Sequence, residues 1–234
     1  MFAAAPRCLR FGRSSASVAA FVKRKTTPSS SAVIPSRRSF SFSFAGPKKL
    51  DDILKKDLVD EKPATEISDM WYSYHEGKEN VHGVVLGGQA AEALLSRAEE
   101  SPFFIQPIFR DNGYFMLVSQ FMEPSHFIMA YLEDYKMDPA SAQPLLTFSI
   151  FDDYAKEKDL TLVRADILNK GINDEEGLKV VSRMLDHYVK DDEYVAVKAF
   201  NSKPDTFDID DFIAQQNAKW KEGGDSNKTI DIES

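Results

Sequence analysis

Residues 103–135 of the 234-residue chain, FFIQPIFRDNGYFMLVSQFMEPSHFIMAYLEDY, contain three apolar runs separated by turn residues. The runs, rich in aromatic and aliphatic side chains, are residues 103–109, 114–122 and 127–135. Pro107 has no N–H to donate to a neighbouring strand, so we expect the first run to be an edge or bulged strand. Asp111-Asn112-Gly113 is a hairpin signal, and the second and third runs join around Pro124-Ser125. The stretch therefore predicts consecutive antiparallel strands.

The second and third runs do not alternate between polar and apolar residues, because residues 114–118 and 127–132 are apolar on both faces. A sheet with one face in water should alternate. Either helices therefore cover both faces, or one face binds a partner. The candidate partner-binding side chains form two sets, one on each strand: Phe115, Leu117 and Phe121, and Phe127, Met129 and Tyr131. If the second set binds, Met129→Glu should abolish binding and leave the fold intact.

Apolar spacing on either side of these runs predicts the remaining elements. The predicted helices are residues 50–59, 65–77, 89–100, 174–189, with Asn173 or Asp174 as cap, and 205–220. The predicted further strands are residues 81–86, 145–151, 160–167 and 194–200. We therefore predict a single α+β domain over residues 49–220, with a largely antiparallel central sheet flanked by N- and C-terminal helices. The polar tail, residues 221–234, is predicted to be disordered.

Charge divides the chain into two parts. Residues 1–49 hold ten Lys or Arg, ten Ser and no acidic residue, whereas from Leu50 onward 19 basic residues accompany all 37 acidic ones, a net charge of −18. The Arg- and Ser-rich start lacks the continuous apolar core of a secretory signal, and it is typical of a mitochondrial or plastid transit peptide. Arg38-Ser39-Phe40-Ser41 resembles a matrix-peptidase site. We predict a mitochondrial transit peptide over residues 1–40, cleaved before Ser41, and a linker over residues 41–48. A disordered basic tail that binds acidic lipid or nucleic acid is the alternative.

Composition excludes several classes of function. No apolar run is long enough for a membrane-spanning helix, so no membrane insertion is expected. A body at −18 repels phosphate, which argues against nucleic-acid binding. The single cysteine, Cys8, lies in the leader, so the body has no disulfide, thiolate zinc site or cysteine nucleophile.

The residues of the body form no recognisable catalytic pattern. The four histidines, His75, His82, His126 and His187, have no metal-ligand spacing. Gly87-Gly88 precedes a helix but belongs to no phosphate-binding motif, and paired aspartates such as Asp152-Asp153 are typical of solvated faces. We therefore predict no enzyme, no cofactor, no metal and no small-molecule substrate.

Many residues in this body occur in the order and roughly the spacing of the mitochondrial ATP synthase assembly-factor family. The positions that carry the resemblance best are Trp71, His75, Phe104, Pro107, Gln120, His126, Tyr135 and Pro144. Supporting positions are Leu50, Leu58, Ile67, Tyr74, Arg110, Gly113, Tyr114, Leu132, Lys136, Ala142, Leu160, Leu162, Arg164 and Tyr188. The resemblance covers about residues 50–200. The chain departs from the family at Asp138-Pro139, where a glycine-like turn is usual.

The resemblance implies a non-enzymatic matrix chaperone. Such a protein binds the unassembled beta subunit of the catalytic head of ATP synthase. It shields the surface that alpha later contacts until alpha displaces it. Two rival hypotheses are an accessory subunit of a respiratory complex, and a small matrix enzyme that uses His126 or His75 as a general base.

Overall fold

The computed structural model describes residue 46, residues 48–222 and residues 231–232. The predicted transit peptide, residues 1–40, lies outside the described residues. Most of the predicted linker, residues 41–48, and most of the predicted tail, residues 221–234, also lie outside them.

Helices and strands alternate irregularly along the described chain. The helices are α1 (Lys56–Val59), α2 (Ala64–His75), α3 (Gly88–Glu100), α4 (Leu132–Met137), α5 (Ala155–Lys158), α6 (Asp174–Val189), α7 (Asp191–Ser202) and α8 (Ile209–Glu222), with 3-10 turns at Leu50–Asp52 and Pro204–Thr206. The strands are β1 (Val81–Leu86), β2 (Phe103–Arg110), β3 (Gly113–Met122), β4 (His126–Tyr131), β5 (Pro144–Phe151), β6 (Thr161–Ile167) and β7 (Asp231–Ile232).

The strands form one sheet in the order β2-β3-β4-β5-β6-β1-β7, antiparallel at every pairing except that of β1 with β7. The predicted α+β fold with a largely antiparallel sheet is confirmed. The hairpin at Asp111-Asn112-Gly113 joins β2 to β3, with Arg110 opposite Gly113. Pro107 lies in β2 at the edge of the sheet. Because an edge strand has a neighbour on one side only, the lack of an N–H at Pro107 costs no hydrogen bond between strands.

The two faces of the sheet are covered differently. One face, the inner face, contains Phe127, Phe148 and Ala165 side by side across β4, β5 and β6. These residues belong to the main core, to which α3, α6, α7 and α8 also contribute side chains. The other face, the groove face, contains Ile128 on β4 beside Thr147 on β5. A smaller core on the groove face joins α2 to the ends of β5 and β6; its members are Leu50, Val59, Ile67, Trp71, Phe151, Tyr154, Leu160 and Leu162.

Three sequence predictions of secondary structure are wrong. Residues 194–200 form part of α7 and not a strand, because Tyr194, Val197 and Phe200 are buried at helical spacing. The predicted strand over residues 127–135 ends at Tyr131, and α4 follows it. The predicted helix over residues 50–59 is divided into a 3-10 turn and α1, because the Lys55 backbone between them is extended.

The amide of Asn201 closes part of the open edge of β2. Its Nδ2 donates to the Phe103 carbonyl oxygen at 2.6 Å, and its Oδ1 accepts from the Phe103 N–H at 3.2 Å. One side chain thus satisfies a donor and an acceptor that a neighbouring strand would otherwise satisfy.

We expect Asn201→Ala to lower the free energy of unfolding by about 1–3 kcal/mol, because it removes both side-chain hydrogen bonds to the Phe103 backbone. The adjacent Ser202→Ala removes only an exposed hydroxyl bond to Lys198 within the same helix, so it should change stability by less than about 0.5 kcal/mol. Urea denaturation of both variants checks this. Equal stabilities would contradict the role given to the amide.

Candidate partner-binding groove

Two helices pack on the groove face and leave a channel between them. In the part of the chain that the structure describes, α2 packs over β1 and β6, whereas α4 packs over β3 and β4. Three strand spacings, or about 14 Å, separate β6 from β3. The channel between the two helices is hereafter called the groove, and its floor is formed by β4 and β5 with the adjoining residues of β3 and β6.

The floor of the groove is mixed in polarity and only partly exposed: Thr147 and Arg164 are buried, whereas His126, Ile128, Ser149 and Asp166 are half-buried. Arg164 and Asp166 on β6 form a bidentate ion pair, with guanidinium-to-carboxylate distances of 2.6 and 2.9 Å. In the register of the sheet, Ser149 on β5 lies between Arg164 on β6 and His126 on β4. Burial lowers the pKa of His126, so the imidazole is neutral at neutral pH. The floor therefore offers hydrogen-bonding groups with little net charge.

The α4 side of the groove contains an apolar socket with a cavity volume of about 20 Å³. Its lining residues come from β3, β4, α4 and the turn after α4: Val118, Gln120, Ile128, Ala130, Tyr135, Pro139 and Ala142. The volume suits a single water molecule or the tip of one aliphatic side chain. An apolar lining favours the second.

The α2 wall is rigidly held against the sheet. Trp71 is buried, and its Nε1 donates to the Val163 carbonyl oxygen at 3.1 Å. The His75 ring lies 4.3 Å from the Trp71 ring, and its Nδ1 is 2.7 Å from the Trp71 carbonyl oxygen. A Cβ at Gly83 would lie 2.5 Å from His75 Nδ1, so the absence of a side chain there lets α2 approach β1 closely.

Comparison with known proteins places this fold in a family. Residues 12–213, most of the chain, match the ATP11 protein family. The chain belongs to that family. The resemblance predicted from the sequence is confirmed at this level.

Several curated proteins align with the chain. It is 25% identical over 181 residues to the Homo sapiens protein named ATP synthase mitochondrial F1 complex assembly factor 1, covering 76% of this chain and 55% of that protein. The Mus musculus protein of the same name is 24% identical over the same shares of both chains. The Danio rerio protein of that name is 23% identical over 166 residues, covering 70% of this chain and 54% of its own. The chain thus spans about 55% of the length of the curated relatives it matches.

Five of the eight positions that best carry the ATP11 resemblance surround the groove. Trp71 and His75 form the α2 wall, Gln120 and His126 lie on the groove face of the sheet, and Tyr135 lines the socket. The other three lie elsewhere. Phe104 is buried in the inner core against Phe200 and Phe212, Pro107 lies in the edge strand, and Pro144 begins β5.

The six side chains predicted to bind a partner all lie on the inner face. Register pairs Phe121 with Phe127 and Leu117 with Tyr131, so the two sets share one face. Four are buried in the core, namely Leu117, Phe121, Phe127 and Met129. Phe115 and Tyr131 are half-buried and contact each other, with 5.4 Å between ring centroids. Partner binding by the set stays a prediction, and only these last two could contact a partner without opening the core.

Sequence reasoning did not single out the socket as a site. In the sequence, Ile128 and Val118 are members of apolar runs, and no neighbouring residue distinguishes them from the core residues beside them. The one signal is that these runs do not alternate between polar and apolar residues, which predicts that other parts of the protein or a partner pack on both faces of the sheet. On the groove face, α4 does not bury Ile128 completely, and this side chain is half-buried.

The described residues contain no group of three or more His, Cys, Asp or Glu that could hold a metal ion. None of the helices within the described ranges is both long and apolar enough to cross a bilayer.

Acid should destabilise this ATP11 protein partly through His75. Burial lowers the pKa of His75 from 6.5 to about 4. The unfolded chain therefore binds this proton at a higher pH than the folded protein does, and stability falls as the pH falls from about 6.5 to about 4. We expect His75→Phe, which cannot titrate, to show a shallower decline over that window in urea unfolding. An unchanged slope would contradict this assignment, because carboxylates titrate equally in both proteins.

Proposed function

We propose that this protein is a mitochondrial assembly factor for the catalytic head of ATP synthase. It acts in the matrix as a chaperone and not as an enzyme. It binds the unassembled beta subunit and shields the surface that alpha later contacts. Alpha then displaces it, and no nucleotide is hydrolysed by the chaperone itself.

The observation that carries this proposal is the family match over residues 12–213, together with the aligned relatives named as mitochondrial F1 complex assembly factors. The basic, acid-free leader independently supports the mitochondrion as its location. The choice of beta over alpha rests on the resemblance described from the sequence.

Two features of the molecule suit a chaperone. The groove offers a partner an apolar socket beside hydrogen-bonding groups, on a sheet that the inner core keeps rigid. The net charge of −18 from Leu50 onward keeps a protein with such a surface soluble and favours repulsion between its own copies.

A direct binding experiment tests the proposal. Each head subunit, alpha or beta, is tagged, immobilised separately after dilution from denaturant, and incubated with the full chain. We expect retention on beta and at least tenfold less on alpha. Equal retention on both would contradict the specificity, and retention on neither would contradict the proposed function.

A further inference from the structure

The two sides of the sheet differ in how their edges are protected. On the β2 side, Pro107 interrupts the row of N–H donors, the Asn201 amide binds the Phe103 backbone, and α8 packs against the strand. On the β1 side, the two-residue strand β7 is the only described strand beyond β1. β1 contains no proline and no break in its register with β6. An edge strand without such protection is a template for the addition of a further strand.

One hydrogen bond determines the direction of the backbone groups along β1. The Ile167 N–H donates to the carbonyl oxygen of Asn80, the residue before β1, at 2.8 Å. These two residues lie opposite each other, because the register of β1 with β6 pairs Val81 with Asp166. In an antiparallel pair, residues that exchange hydrogen bonds alternate with residues whose N–H and C=O groups point away from the partner strand. The even-numbered residues of β1 therefore bond to β6, and the odd-numbered residues face outward.

The outward-facing residues of β1 are Val81, Gly83 and Val85. β7 reaches the last of them, where Val85 pairs with Asp231 in the parallel direction. No strand of the described residues lies beside Val81 and Gly83 on this side, and both residues are half-buried. Their two N–H and two C=O groups therefore offer donors and acceptors to an added chain. These two residues are hereafter called the outer edge of β1.

We propose that the outer edge of β1 binds an extended segment of the beta subunit as an added strand. This inference rests on the proposed function, because it assumes that beta is the client. The pairing of β7 supports it, since a parallel strand already continues the same side of β1 at Val85. Strand addition suits a chaperone, because main-chain hydrogen bonds hold an extended segment whose neighbours in the assembled head are still absent.

Charge favours a neutral or basic segment over a second copy of this chain. Glu76 and Glu79 are exposed in the turn before β1, and this turn contains one lysine, Lys78, which lies over the Tyr74 ring. A second copy would bring together two bodies that each carry a net charge of −18 from Leu50 onward. Like charges brought together in an interface oppose association.

Amide hydrogen exchange at single-residue resolution tests the proposal on the full chain, alone and in complex with unassembled beta subunit. In the free chain, we expect the Val81 and Gly83 amides to exchange fast. The His82 and Val84 amides, which bond to β6, should exchange slowly in the same sample. In the complex, we expect exchange at Val81 and Gly83 to slow at least about tenfold, because an added strand bonds these amides. Exchange at the other two residues should change much less.

Val81→Lys provides a second readout at the same edge. A lysine on an edge strand opposes strand addition, because its charge loses hydration when another chain pairs there. We expect this variant to bind labelled beta at least about fivefold more weakly than the wild-type protein does. Val195→Lys makes the same change on α7, where Val195 is 66% exposed. This control should bind within about twofold of the wild-type protein. Circular dichroism and urea unfolding check the fold of both variants.

The outcomes separate the inference from the proposed function. Failure of the wild-type protein to bind beta contradicts the proposed function itself. Binding that leaves the Val81 and Gly83 amides in fast exchange, or that slows all four amides by the same factor, overturns the inference and leaves the proposed function standing. A folded Val81→Lys variant that binds beta as tightly as the wild-type protein also overturns it. Protection of the outer edge in the free chain that increases with its concentration would assign the edge to a second copy and would overturn it too.

Discussion

Met129→Glu is expected to unfold the domain, not to weaken partner binding in an intact fold. Met129 is completely buried on the inner face, opposite Leu146 on β5. A carboxylate there loses its hydration, and the substitution also removes a packed side chain. We expect a loss of more than about 4 kcal/mol, which is comparable to the total stability of many domains. Far-ultraviolet circular dichroism and urea unfolding measure this result.

The neighbouring residue supplies the control. Ile128 points to the opposite face and is half-buried, so Ile128→Glu should cost only about 1–2 kcal/mol and leave a folded protein. A folded Met129→Glu variant that no longer binds beta would show that the inner face is accessible. That result would contradict the assignment of the inner face to the core.

Glu193→Ala should be the second most damaging substitution. Glu193 is buried where α6, α7 and α8 meet, and its carboxylate binds Arg183 at 3.2 Å and also Lys219. His187 Nδ1 lies 3.1 Å from the same carboxylate, in a side chain with no exposed surface. Removing the acid takes one carboxylate away from Arg183, which keeps Asp186, and takes away the carboxylate beside Lys219 and the buried His187. We expect a loss of about 2–4 kcal/mol and weaker attachment of α8.

The adjacent Asp192→Ala is the matched control, because Asp192 is exposed in the same helical turn. It should change the free energy of unfolding by less than about 1 kcal/mol. Hydrogen exchange of the α8 amides reports directly on attachment. If Glu193→Ala leaves both the stability and the α8 exchange rates unchanged, Glu193 does not organise the junction of these helices.

Sequence reasoning succeeded where one local signal determined the element. The helix α6 was predicted with its observed bounds from its apolar spacing and from Asn173 or Asp174 as cap. The structure assigns the cap to Asn173, and the Glu176 carboxylate accepts from the Asn173 N–H in return. The β2–β3 hairpin was predicted from Asp111-Asn112-Gly113. The error at α7 has a physical cause: residues 194–200, YVAVKAF, satisfy period two and period three to four about equally well. Packing of this segment against α6 and β2 favours the helix over the strand.

The candidate site was harder to predict than the fold. Which apolar side chains of β3 and β4 share a face depends on register, and register is set by the turn between the strands. The pairing of Phe121 with Phe127 places both predicted sets on the inner face. The groove also requires α4, which the sequence presents as a continuation of β4.

The most direct test of the chaperone function follows the aggregation of the beta subunit itself. Beta is diluted from denaturant into buffer with or without an equimolar amount of the full chain, light scattering is recorded, and the mixture is then separated by size-exclusion chromatography. The account predicts suppressed scattering and a coeluting complex that disappears when alpha is added. Unchanged scattering with separate elution, or a complex that alpha cannot displace, would contradict it.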